Sequence, residues 1–150
     1  MKKVFAAVFF MAASFVIHAQ SMESISQIVE SPAINYGQAA YLALTYYGGI
    51  DEGATESEAL YEAVKKNWIK SGASDVGQIR LGELCALYAK AAGIKGGLFC
   101  RLTKNSARYS FKEFKALGLL DKAADPSMTV SGQNALSLFN SCIQAAEGSK

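Results

Sequence analysis

The acidic side chains are the ones in this chain best placed to do chemistry. Asp51 and Glu52 are adjacent, and Glu56, Glu58 and Glu62 follow within one short stretch. Two carboxylates suffice for glycoside hydrolysis, one donating a proton and the other acting as base or nucleophile. Asp51 to Glu62 also has the length of a helix–loop–helix calcium loop, with Asp first and Glu twelfth. That loop needs Gly at its sixth position, where Glu56 stands, and oxygen ligands where Gly53 and Thr55 stand. A plainer reading covers the same residues. Thr55-x-x-Glu58 is a capping box, each side chain satisfying the other's free backbone N–H, and acids are favoured near a helix N-terminus. No catalytic residue, no metal site and no cofactor is therefore assigned. A carboxylate-dependent glycan-acting enzyme, or an accessory subunit of one, is kept as the alternative function.

Nucleophilic and imidazole chemistry is more restricted still. The single histidine, His18, lies in an N-terminal stretch with the marks of a signal peptide. Lys2 and Lys3 form its positive end, Val4 to Ile17 is an uncharged and mostly apolar run, and Ala19 is a small residue suited to cleavage before Gln20. A chain that starts at Gln20 has no imidazole, so it has no Ser-His-Asp or Cys-His site and no histidine general base. Cys85, Cys100 and Cys142 are widely spaced and include no CxxC. Cys85 and Cys142 fall on apolar helix stripes, where a thiol behaves as a small hydrophobe. One disulfide plus a thiol, or three thiols, are both consistent with the sequence.

Export sets the rest of the frame. Residues 1–19 are the expected signal peptide and residues 20–150 the expected domain, located in the periplasm or at the cell surface. The apolar run of the leader is shorter than the ~20 residues that span a bilayer, and no second long run follows, so no integral membrane insertion is expected after cleavage. Lys2 and Lys3 leave with the leader, and the remaining chain carries 13 basic against 13 acidic residues. A neutral total with no evident basic stripe argues against nucleic acid and against anionic lipid as partners.

The elements that must position any site are helices. Three short phrases each open an apolar helix: Ile34-x-x-Gly37-Gln38, Ile79-x-x-Gly82-Glu83 and Thr129-Val130-Ser131-Gly132-Gln133. Behind the second, Leu84, Cys85, Leu87, Tyr88, Ala91 and Ala92 make a one-sided helical stripe. Ala39, Ala40, Leu42, Ala43, Tyr46 and Tyr47 do the same behind the first. An earlier helix precedes each phrase, over Ser21 to Glu30, Thr55 to Asn67 and Arg108 to Leu117. Met22, Ile25, Ile28 and Val29 form the apolar side of the first of these, and Leu60, Tyr61, Val64 and Trp68 that of the second. The chain is thus all-α, with three helix–loop–helix units near residues 21–50, 55–94 and 108–146 packed as one domain. Leu98 to Leu102 alternates enough to suggest a short extended segment, and strand is otherwise scarce. Recurring Gly37, Gly82 and Gly132 suggest close approach at each turn, since Gly costs about 1 kcal/mol in a helix interior.

Helix, Asp-containing loop, Ile-x-x-Gly-Glu phrase and second helix together resemble the S-layer homology domain. That module anchors exported bacterial proteins to cell-wall polymers, usually as three units in a pseudo-threefold arrangement. Phrases such as Leu81-Gly82-Glu83-Leu84 and Gly93-Ile94-Lys95-Gly96-Gly97 also resemble small exported proteins of spirochaetes whose role is not established. In the S-layer homology phrase Ile-Thr-Arg-Ala-Glu, the Arg contacts anionic polymer. Its position falls here on Tyr36, Leu81 and Ser131, so the resemblance implies the fold without its usual charge-assisted ligand contacts.

The expected function is therefore a non-catalytic envelope module that binds an envelope protein or cell-wall glycan. Asp75 and Asp125, at equivalent places in two loops, are candidate binding residues as well as turn-formers. Trp68 is an aromatic candidate near one of those loops, and Arg80 is the cation best placed to replace the missing arginines.

Overall fold

The computed structural model describes residues 23–148, so the expected signal peptide over residues 1–19, and Ser21 and Met22 of the first expected helix, lie outside the described residues. Helix α1 covers residues 23–30. It is followed by α2 (Tyr36–Tyr47), α3 (Glu56–Lys65), α4 (Leu81–Ala92), α5 (Leu98–Leu102), α6 (Ala107–Ala116) and α7 (Gly132–Glu147). The fold is all-α. Among the described residues the only β pairing is two isolated bridges, Asn35 with Gln78 and Arg80 with Thr129.

Local chemistry sets the helix ends. The Thr55–Glu58 capping box is formed at α3, and a second box joins Asn35 and Gln38 at α2. At the other ends Gly48 and Gly93 adopt left-handed φ of 74° and 71°, which ends α2 and α4 without a Cβ penalty. Gly118, with φ 72°, follows α6 in the same way.

Helix α4 is the centre of the molecule. Nine of its twelve residues are buried, and it packs against α2, α6 and α7. Tyr88 on α4 is fully buried, with its ring tilted 4.6 Å from that of Phe139 on α7. The apolar cluster extends without a break from Ile28 through Phe114 to Cys142. Cys85, Cys100 and Cys142 are all free thiols, all buried.

The three glycines sit where the phrases lean on one another. Gly37 N–H donates to the Asp75 carbonyl (3.0 Å), Gly82 N–H to the Pro126 carbonyl (2.9 Å) and Gly132 N–H to the Ser31 carbonyl (2.8 Å). Each phrase thus bonds the segment leading into the next phrase, and the third returns to the first. Tyr36 N–H to Gly77 O and Leu81 N–H to Met128 O, both 2.9 Å, reinforce the first two contacts. The close approach is of helix N-terminus to loop backbone, and at Gly132 to the end of α1.

Four expectations need correction. Tyr46 and Tyr47, expected on the packed stripe of α2, are 47% and 52% exposed, because the buried part of that helix ends at Leu44. Leu98–Leu102 is helical, not extended. With no neighbouring strand to pair with, its backbone groups bond locally, Arg101 N–H to Gly97 O (3.1 Å) and Thr103 N–H to Phe99 O (3.0 Å). Tyr61 is 68% exposed, because the buried side of α3 is centred on Ala59, Leu60 and Ala63. In α1 only Ile28 is buried among the described apolar residues, and Ile25 is exposed.

Three buried hydroxyls, those of Thr45, Tyr88 and Ser110, lack a hydrogen-bond partner among the described residues, and Tyr88 carries the largest side chain of the three. A buried unpaired hydroxyl costs about 1–3 kcal/mol. Tyr88→Phe keeps the ring and removes the penalty. The expected result is a gain of about 1 kcal/mol in urea unfolding; a loss of stability would show that the hydroxyl is satisfied in solution.

Candidate functional site

The four residues singled out from the sequence do not converge. The Asp75 carboxylate accepts from the Ser57 hydroxyl and from the Val76 N–H (3.0 Å). Asp125 accepts from the Ser127 hydroxyl and from the Ser127 N–H (2.8 Å). The bonds from Ser57 and Ser127, in turn, hold both carboxyls below the usual Asp range. Both acids therefore shape the loops on which Gly37 and Gly82 rest. Arg80 is exposed, and its guanidinium donates to the Ser127 carbonyl (3.1 Å), which brings it to the Asp125 loop. Of the four, Trp68 lines a sizeable cleft among the described residues.

The acids considered for catalysis are also dispersed. Glu58 is used in the α3 capping box, and Glu62 pairs with Lys65 at 3.0 Å. Burial raises the Glu56 carboxyl, an effect opposed by its bond to the Asn35 side chain. Asp51 and Glu52 are exposed in the turn before α3.

The cleft beside Trp68 has a volume of about 650 Å³ and is bounded by the end of α3, the loop after it, one face of α4 and the start of α6. Glu83, Ala86 and Lys90 line it from α4 at i, i+3 and i+7, the spacing of one helical face. Tyr36 enters from α2, and its hydroxyl donates to Glu83 Oε2 at 2.7 Å. Burial, then the Glu83 bond, pushes the Tyr36 hydroxyl up to about 12. At the other end the Lys90 ammonium donates to the carbonyls of Asn67 and Trp68, both at 3.3 Å. Burial lowers it below the usual lysine range. The Trp68 ring meets Tyr47 edge-on at 4.9 Å, and the Lys66 ammonium lies 5.2 Å from the Tyr47 centroid.

Sequence reasoning missed Tyr36, Glu83 and Lys90. The i, i+7 spacing of Glu83 and Lys90 was a usable signal. The contact between Tyr36 and Glu83, 47 residues apart, was not. The position where the S-layer homology resemblance calls for Arg holds a phenol that bonds the acid of the next phrase.

The cleft offers an aromatic wall, one carboxylate, one ammonium and neighbouring backbone carbonyls. Such a mixture suits polar but largely uncharged ligands, whose apolar faces meet the rings while hydroxyls or amides meet the polar groups. Compared with known proteins, the chain matches no family model, no curated protein and no solved structure.

Proposed function

We propose that this chain is a non-catalytic exported cell-envelope protein, an S-layer-homology-like helical module that seats a protein or uncharged glycan partner in the Trp68 cleft. The observation that carries the reading is the grouping of Trp68, Tyr36, Glu83 and Lys90 around one cleft. Of the acids considered for glycan hydrolysis, Glu58 serves a helix cap and Glu62 a surface ion pair, while Asp51 and Glu52 lie exposed in the turn before α3 and do not line this cleft. Export is supported by the leader, and the repeat reading by the cyclic bonds of Gly37, Gly82 and Gly132.

The test uses the protein from Gln20 onward against neutral cell-wall oligosaccharides and solubilised envelope proteins. Trp68 is the only tryptophan, so its fluorescence reports the cleft directly. Saturable change that is nearly insensitive to salt is expected. Trp68→Ala should weaken affinity by about 2 kcal/mol, roughly thirtyfold, measured by calorimetry. Turnover of the glycan would sink the non-catalytic reading, and binding indifferent to Trp68→Ala would move the site elsewhere.

A further inference from the structure

The five-residue helix α5 presents apolar side chains outward. Cys100 is its buried residue, whereas Leu98 and Leu102 are each 76% exposed and Phe99 is 60% exposed. The segment is held at several points. Asn105 Nδ2 donates to the Ile94 carbonyl (3.1 Å), and the Phe99 ring stacks on Tyr109 at 5.5 Å and 11°. The Cys100 thiol faces Glu113. Lys104 and Asn105, with φ of 52° and 56°, turn the chain back toward α6. A contiguous exposed apolar patch on a braced support marks a surface that meets another apolar phase.

The sequence through this corner is basic, with Glu113 the acid that faces α5, at Cys100. From Lys95 to Lys112 the chain holds five basic residues and no acid, whereas the remainder of residues 20–150 holds eight basic and 13 acidic. Lys95, Arg101 and Lys104 line one shallow hollow beside α5, whereas Arg108 and Lys112 line a separate hollow with Glu83 and Pro126. None of the five makes an ion pair with a described residue, the only such pair being Lys65 with Glu62. Overall neutrality, which argued against anionic lipid, conceals this local surplus.

We propose that the α5 corner docks on the surface of an anionic lipid bilayer. Leu98, Phe99 and Leu102 enter the boundary between headgroups and acyl chains, and Lys95, Arg101 and Lys104 engage lipid phosphates. The pairing of an apolar wedge with flanking Lys and Arg is what interfacial binding requires, since anionic headgroups attract the cations and the acyl region takes the side chains. A nucleic acid would use the cations but gain little from two outward leucines. This seat is peripheral: among the described residues no helix is long and apolar enough to cross a membrane. It is also independent of the Trp68 cleft, so either proposal can fail alone.

The test is co-sedimentation of the protein from Gln20 onward with vesicles of phosphatidylcholine, with or without about one-third phosphatidylglycerol. Binding is expected on the anionic vesicles, at least tenfold above the neutral ones, and should fall steeply with salt. Leu98→Ser with Leu102→Ser should reduce it about tenfold or more, as should Arg101→Glu with Lys104→Glu. These exposed positions should leave the circular dichroism melt unchanged. Phe99→Trp supplies a second readout, a blue shift on anionic vesicles. Three results would overturn the proposal: no preference for anionic vesicles, binding unaffected by the leucine variants, or equally tight retention on a DNA duplex or an acidic protein with the leucines dispensable.

Discussion

Gly132→Ala is expected to remove about 3 kcal/mol or more of stability, a large part of the ~5–15 kcal/mol typical of a domain. A Cβ at Gly132 would lie 1.5 Å from the Ile28 carbonyl oxygen and 2.6 Å from its carbon. Both are backbone atoms, so no rotamer change relieves the overlap. Either α1 or the start of α7 must move, and the Gly132 to Ser31 hydrogen bond moves with it. The helix-propensity gain of alanine, about 1 kcal/mol, does not offset that. At Gly37 the nearest atoms are the Glu56 Cβ at 3.0 Å and the Asp75 carbonyl at 3.2 Å, and at Gly82 the nearest is the Pro126 Cβ at 3.2 Å. Those substitutions require shifts of tenths of an ångström and should cost less. Gly53→Ala meets nothing within 4 Å and serves as the neutral control. Urea unfolding of the four variants tests the order. A wild-type midpoint for Gly132→Ala would show that α1 does not close onto α7 in solution.

That gradient also shows what the sequence could convey. A glycine recurring in one phrase signalled close approach, because local helix propensity argues against it at all three places. Which backbone each glycine meets depends on contacts such as Gly132 with Ser31, about 100 residues apart, and no local pattern encodes them. The helices were legible for the same reason their caps were: Thr55 and Glu58 interact across one turn. Leu98 to Leu102 was misread because its alternation also fits a short helix with one buried residue, Cys100. Asp75 and Asp125 lie in loops as expected, but Asp75 accepts from Ser57 on α3 and Asp125 from the neighbouring Ser127, and the two do not converge on one site. The cleft was the least legible feature. Glu83 and Lys90 share a helix face, yet Tyr36 and Trp68 reach them only through packing of α2 and α3 about α4.

The second large effect is alkaline. Burial raises the Cys85 thiol above its ordinary 9.0, raises Cys142 from 9.0 to about 12, and raises the Tyr88 hydroxyl above 10.0. All three groups are inside the apolar cluster. An acid whose folded pKa exceeds its unfolded value stabilises the fold fully below the unfolded value, and that stability is lost as pH rises toward the folded one. The loss therefore begins near pH 9 with the two cysteines and steepens near pH 10 with Tyr88. Each group contributes about 1.4 kcal/mol per pH unit while only the unfolded chain ionises. Two thiols give roughly 3 kcal/mol per unit, and all three groups roughly 4. The loss reaches roughly 7 kcal/mol two units above pH 9, enough to unfold a domain at the lower end of ordinary stability by pH 11. Urea midpoints measured from pH 8 to pH 11 test this. In a Cys85→Ala, Cys142→Ala variant, less stable at neutral pH because of the lost volume, the decline between pH 9 and 10 should be much shallower, carried by Cys100 alone, whose thiol is also raised by burial and by Glu113. If that variant loses stability from pH 9 with the same slope as the parent, the buried thiols are not the groups that alkali titrates.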